Sequence, residues 1–262
     1  MKIDFDSVVN LPTPRLHGED LDSADTTKVA ESRLISSILS PAVRLFLRSQ
    51  LKKVEELQVK IDGGDRQILR GTLPRVSLLA KGAVYKDLHL TQVEIVATDI
   101  QVNIGEIVRG KPLRLLHPFP ITGELLLQQA DFNASITSLL LNNALVEFLL
   151  PLLSSASVAC SFASLAARLY PAQIVFEENS FTLMATLVEN TDKQISFVIR
   201  AGLQVFGGRE LHFVNPELQV SQGTIISNLH NFKLDLGPEV ELQELKLSPG
   251  QLLCRGKVIV IP

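Results

Sequence analysis

Tryptophan is absent from this 262-residue chain, and cysteine, methionine and tyrosine occur only twice each. Two cysteines as far apart as Cys160 and Cys254 make no disulfide framework. There is no basic excess either, with 25 Lys and Arg against 28 Asp and Glu. That balance argues against general nucleic-acid binding, which draws on a surplus of cations. Long tracts of low hydrophobicity are missing, which excludes a disordered chain. What remains is aliphatic: 46% of the residues are hydrophobic and the mean hydropathy is +0.23. The length allows one large domain or two small ones, enough for a sizeable core. The question is where so much aliphatic surface goes.

The chemistry of familiar enzymes is missing as well. His17, His89, His117, His212 and His230 are scattered, and none has a His or Cys partner at metal-ligand spacing. No Cys-x-x-Cys, nucleophile elbow, phosphate loop or dinucleotide fingerprint occurs. Asp20 and Asp22 with Glu31 faintly resemble a calcium loop, but Ala24 replaces an oxygen ligand and Asp25 the turn glycine. The expectation is therefore a protein without enzyme activity, metal or cofactor.

The start, Met1-Lys2-Ile3-Asp4-Phe5-Asp6 and the acidic stretch to Asp25, has neither the apolar core nor the cleavage site of a secretory signal. The expected location is therefore the compartment where the chain is made, the cytoplasm. Residues 148–167 are uncharged and long enough to cross a ~30 Å hydrocarbon layer. Against a span stand Pro151 and a serine stripe, Ser154, Ser157, Ser161 and Ser164, on one helical face. An amphipathic helix over a core fits these residues better.

Charge is partitioned along the chain. Residues 1–25 read as a flexible acidic leader, and residues 26–262 as a single domain. Asp25 or Thr26 can cap a basic amphipathic helix whose apolar stripe includes Ile35, Ile38, Leu39, Ala42, Leu45 and Phe46. Residues 32–53 carry Arg33, Arg44, Arg48, Lys52 and Lys53 and no acid. Pro41 predicts a kink or a restart. From Val54 the period becomes two, up to the Gly63-Gly64 turn, and a further strand is expected through Ile68.

Leu88–Ile104 is more informative. Apolar residues sit on even positions at Leu88 and Leu90, on odd positions at Val93, Ile95 and Ala97, and on even positions again at Ile100, Val102 and Ile104. A flat strand keeps one parity, so two changes predict bulges in a long, curved strand. Ile121–Leu127 reads as a strand. A helix capped by Asp131 and an apolar helical region to Tyr170 follow, with Pro151 a break. Strands return after Pro171, and Val240–Ile261 reads as a terminal hairpin turning at Ser248-Pro249-Gly250. Helices and strands are grouped. The expected fold class is α+β, a long, strongly curved antiparallel sheet wrapped around amphipathic or apolar helices.

Three constellations are candidates for function. Arg44, Arg48 and Lys52 recur at i, i+4 and i+8, either as a solvated helix face or as a contact with anionic lipid headgroups. In the loop 109–120, Arg109, Lys111 and Arg114 interleave with Leu113, Leu115, Leu116 and Phe119. Apolar residues pointing outward make a membrane-touching tip; pointing inward, a covering loop. Third, Leu145, Phe148, Leu149 and Leu152 belong to a helix apolar nearly all round. They form a buried core helix, or with Ile38, Leu45 and Phe46 they line a pocket for acyl chains. The partner these features suggest is a membrane lipid or other amphipathic ligand, and an anionic membrane surface.

The succession of an amphipathic helix, Val54–Asp62, Gly63-Gly64, Leu69-Arg70-Gly71, Leu88–Ile104, Arg109-Gly110-Lys111-Pro112-Leu113-Arg114-Leu115-Leu116, Leu125–Asn133 and Leu245–Val260 resembles a known family. This is the bacterial domain-of-unknown-function family that includes the mycobacterial lipomannan elongation factor, and the Arg-Gly-Lys-Pro-Leu segment is similar to its cyanobacterial branch. The likeness covers roughly residues 32–261. It implies the tubular lipid-binding superfamily, whose curled sheet wraps a long helix around an apolar lipid tunnel. It implies lipid binding or transfer without catalysis, and it carries no motif-fixed headgroup residues. The mycobacterial member is exported whereas this chain shows no export signal, so a role in lipomannan synthesis is not expected.

Overall fold

The computed structural model describes residues 43–45, 47–107, 114–155, 167–190, 193–220, 225–226 and 233–262. The acidic leader, the Pro41 kink and the serines at 157, 161 and 164 lie outside the described residues.

In chain order the elements are β1 (Glu56–Asp62), α1 (Asp65–Leu69), β2 (Thr72–Tyr85), β3 (Leu88–Gln101), α2 (Ile104–Ile107) and β4 (Phe119–Gln128). Then come α3 (Gln129–Ser135), α4 (Leu139–Ser155), β5 (Arg168–Glu177), β6 (Ser180–Asn190), β7 (Lys193–Phe206) and β8 (Glu210–Val220). The last are β9 (Ile225–Ile226), β10 (Lys233–Asp235), β11 (Val240–Ser248) and β12 (Gln251–Val260). The fold is α+β and mostly sheet, with one sheet curled into a half-barrel. One six-stranded antiparallel sheet has the order β1-β2-β3-β4-β12-β11; the other runs β10-β8-β7-β6-β5, with β9 on β8.

Both parity changes in β3 are real, but their mechanism differs from the expected bulge. The β2–β3 register runs unshifted from Thr72↔Gln101 to Tyr85↔Leu88. Pairing is skipped at two places, Pro74 opposite Asp99 and Gly82 opposite Thr91. One residue of each couple has a left-handed backbone, Asp99 at φ 54° and Gly82 at φ 55°. A left-handed residue turns the following side chain over without inserting an extra one. Aspartate and glycine are the types that accept this conformation most readily. The true register shifts lie elsewhere, for example between Leu242 and Glu244 in β11.

Four further expectations are corrected. The segment through Ile68 is the short helix α1, because the Gln67 side chain folds back to accept the Gly64 N–H (3.3 Å) and starts a helical turn. Asp131 lies inside the first turn of α3 instead of capping it, since its carboxylate takes the Thr91 hydroxyl. The helical region is two helices bent by 90°, and it ends before Tyr170, which lies in β5. Ser138 Oγ accepts the Leu141 N–H (3.2 Å) and so starts α4 afresh. Pro151 does not break α4, whose next residues, Leu152 and Leu153, are fully buried. No single helix among the described residues is long and apolar enough to cross a membrane.

Two cores result. The larger packs Val146, Leu149, Leu152 and Leu153 of α4 against Leu169, Leu183, Leu187, Ile199 and Leu218 of the second sheet. Each fully buried Leu or Ile contributes about 1.5–3 kcal/mol over its exposed state. The smaller gathers Ile61, Ile68, Leu73, Ala97, Ile100, Val102, Phe119 and Val260 at one end of the first sheet. The sheets join where Leu242 N–H bonds Gly208 O (2.7 Å) and Asn179 N–H bonds Leu247 O (3.2 Å).

Candidate functional site

Residues directly opposite each other on neighbouring strands share a face. The register of the first sheet therefore assembles its inner face row by row. Ile61, Val76, Ala97, Ile121, Val258 and Val240 form one row, which adjoins the smaller core. The next is Val59, Leu78, Ile95, Gly123, Gly256 and Leu242; after it come Leu57, Ala80, Val93, Leu125, Cys254 and Leu245. Further on, Leu252 and Leu247 join the larger core. The outer face alternates with these rows and is polar: Glu56 pairs with Lys81 (2.8 Å), and Arg255 with Glu124 (2.5 Å) and Glu244 (2.7 Å).

The two middle rows carry no charge and belong to neither core. Val59 and Ala80 are buried, whereas Leu57, Leu78, Val93, Ile95, Leu125, Leu242, Leu245 and Cys254 are half-buried. Aliphatic surface thus stays partly uncovered between two packed ends. At its centre Gly123 faces Gly256. A Cβ on Gly123 would lie 2.9 Å from Glu94 O, and one on Gly256 2.5 Å from Glu241 O. The strands approach too closely for side chains there, which leaves a dip in the apolar floor. Burial pushes the Cys254 thiol pKa up, as an apolar setting disfavours the thiolate.

The residues singled out in the sequence are distributed differently. Leu149 and Leu152 are buried in the larger core, with Leu145 and Phe148 packed at its margin; the Phe148 ring stacks on Phe213 at 4.9 Å. Leu45 is on the surface, 60% exposed, so it does not line an enclosed pocket. Ile38, Phe46, Arg109 and Lys111 lie outside the described residues. Arg44 and Arg48 are exposed on a helical stretch, and Lys52 pairs with Asp87 (2.6 Å). Arg114 is exposed, its N–H held by Asn103 Oδ1 at 2.7 Å. Of the loop's apolar residues, Leu116 points out (50% exposed), Leu115 packs against the smaller core and Phe119 lies within it (8%). Phe119 is drawn inward because it starts β4 opposite the buried Val260.

The inner-face rows are not visible in the sequence as one surface. Their alternation was visible strand by strand, but only the register brings Leu57, Val93, Leu125 and Leu245 side by side. A separate concavity of about 730 Å³ crosses β5–β8 and includes Gln173, Met184, Val198 and Gln219. None of the residues singled out in the sequence lines it. Among the described residues no group of three or more His, Cys, Asp or Glu could hold a metal.

A family model described as LmeA-like phospholipid-binding matches residues 30–257, most of the chain. The chain belongs to the LmeA-like phospholipid-binding family. This agrees with the resemblance carried by the sequence motifs. The LmeA-like family is one of lipid binders and not a known enzyme family. Comparison with curated proteins and with solved structures gives no match.

Proposed function

We propose that this LmeA-like chain is a peripheral lipid carrier whose first sheet shelters acyl chains on the two half-buried middle rows. The observation that carries the reading is the uncharged aliphatic surface left between the two cores, in a family of phospholipid binders. Ligand sites are mostly apolar with few polar groups, and the rows around Gly123 and Gly256 have that character. The exposed Arg114, beside Leu116 at the Gln101 end of β3, faces the headgroup region of an anionic membrane, where one cation is worth ~1 kcal/mol; Arg44 and Arg48 add exposed charge on the helical stretch that leads to Lys52 at the other end of β2. Exposed Leu116 enters the bilayer interface. The site of action is the cytoplasmic side of the inner or thylakoid membrane, with residues 26–262 acting as one unit.

Native mass spectrometry of protein isolated from cells tests this, together with flotation on vesicles containing anionic lipid. Copurifying phospholipid and salt-sensitive flotation are expected. Ligand-free protein that also ignores the vesicles points instead to a non-catalytic interaction protein with a dry core, and overturns the proposal.

A further inference from the structure

We infer that the lipid headgroup sits in a small polar pocket at the β2–β3 kink, which selects vicinal hydroxyls by hydrogen bonding. The inference rests on the acyl-chain reading of the inner face. The pocket has a volume of about 120 Å³, and its lining includes Lys53, Glu55, Gly82, His89, Leu90 and Asp131. It adjoins the apolar rows. Glu55, just before β1 with its N–H on Lys81 O (3.0 Å), and Gly82 and Thr91 of β2 and β3 lie two residues beyond Leu57, Ala80 and Val93, a step of ~7 Å where the chain is extended. A ligand whose chains lie on the middle rows therefore has its polar end within reach of this pocket.

The kink itself builds the site. A Cβ on Gly82 would come within 2.5 Å of the Glu55 carboxyl carbon, so the glycine is what lets that carboxylate lie over the strand. Lys53 Nζ bonds Glu55 Oε1 at 3.0 Å, and Asp131 accepts the Thr91 hydroxyl. Thr91 Oγ1 in turn accepts the Gln128 N–H at 2.8 Å, which fixes the start of α3 against β3.

The charge pattern decides the class of ligand. Lys53 is already matched by Glu55, so the described residues that line the pocket offer no free cation to clamp a phosphate monoester. An ammonium headgroup is a donor only; the Glu55 carboxylate it would need is already engaged by Lys53, and Asp131 already takes the Thr91 hydroxyl. Glu55 and Asp131 supply acceptors, Lys53 supplies donors, and His89 can serve as either. A hydroxyl both donates and accepts, and neighbouring hydroxyls match such an alternation. The volume equals that of roughly four waters at ~30 Å³ each, enough for a glycerol or the edge of a hexose.

The test uses delipidated full-length protein and vesicles holding equal parts phosphatidylglycerol, monohexosyl diacylglycerol, phosphatidylethanolamine and phosphatidic acid with matched acyl chains. Bound lipid is identified by native mass spectrometry. One or both hydroxyl-bearing lipids are expected to be enriched about tenfold, the size of one charge-assisted hydrogen bond, and which one tells glycerol from sugar as the source. Glu55→Gln frees Lys53 and should shift the preference toward phosphatidic acid; Asp131→Asn removes a charged acceptor and should reduce the enrichment of the hydroxyl-bearing lipids. Glu55 is exposed, so its variant tests the idea even if Asp131→Asn loosens α3. Binding without preference, or preference of the unaltered protein for phosphatidic acid or phosphatidylethanolamine, overturns the headgroup inference and leaves acyl-chain binding standing. Binding of no lipid overturns both.

Discussion

The side-chain amide of Asn133 serves Ile174 as a neighbouring strand would: its Oδ1 accepts the Ile174 N–H (2.7 Å) and its Nδ2 donates to Ile174 O (3.0 Å). Asn142 does the same for Leu169, and Gln129 Oε1 accepts the Phe176 N–H at 2.8 Å. Three amides on α3 and α4 thus satisfy one edge of β5, which would otherwise offer unpaired backbone groups. Asn133→Ala should cost about 1–3 kcal/mol, because it strands both groups of Ile174. Urea denaturation measures the loss, and hydrogen exchange at Ile174 should accelerate with it. An unchanged midpoint and exchange rate would show that the amide is dispensable.

The dip at Gly123 and Gly256 is a requirement of the backbone. Gly256→Ala places a Cβ 2.5 Å from Glu241 O, so β11 must move. A loss of about 1–3 kcal/mol is expected, as for an overpacked core. Thermal unfolding checks it; a neutral substitution would mean that the two strands can part without cost.

Phe119 and Leu116 separate packing from membrane contact. Phe119→Ala removes a core ring and should cost about 3–5 kcal/mol in chemical denaturation. Leu116→Asp, at a half-exposed position, should leave the unfolding midpoint nearly unchanged while reducing flotation on anionic vesicles. Equal flotation of Leu116→Asp and the unaltered chain would remove this loop from the membrane contact.

Cys254 reports on the apolar rows. In a Cys160→Ser background it is the one remaining thiol. Its raised pKa keeps the reactive thiolate scarce at neutral pH, so maleimide labelling should be slow there and still climbing above pH 9. Bound phospholipid should slow labelling further, by about fivefold or more if acyl chains cover the row. Identical rates with and without lipid would place the chains elsewhere.

Acid should weaken the sheets in a definite direction. Glu210, held first by the hydrogen bond from His212 (2.8 Å) and next by Lys233 (2.9 Å), has its pKa lowered from 4.5; Glu56 is lowered chiefly by Lys81. A carboxylate with a depressed folded-state pKa stabilises fully above its unfolded pKa, and that contribution disappears as pH falls through the folded one. The unfolding midpoint should therefore drop below about pH 4.5, and Glu210→Gln should flatten the drop slightly. Both groups are exposed, so added salt should shrink the effect.

Much of the strand pattern was legible because alternation is a local property. Leu57, Val59 and Ile61 announce β1, and the two parity changes of Leu88–Ile104 announce a non-planar strand. The cause of those changes was not legible, since a left-handed Asp99 and an inserted residue shift the parity alike. The helical region was overread: an apolar run carries no mark for the 90° bend, which depends on Ser135 and Ser138 finding partners in and beyond the helix. Leu145, Phe148, Leu149 and Leu152 stand out in the sequence because their apolarity is concentrated there, whereas each middle row draws one residue from each of six strands.

By itself the chain's order of residues determined the α+β class, the alternation of each strand and its family membership, because these depend on local periodicity and on motifs in succession. Tertiary structure alone decided which aliphatic residues close a core and which stay half-open. That choice turns on register. Gly123 meets Gly256 across two strands 133 positions apart, and Leu57 shares a row with Leu245 only because six strands align. Leu149 and Leu125 are equally apolar. One is buried under α4's packing, and the other lies on a face that the described elements leave partly bare.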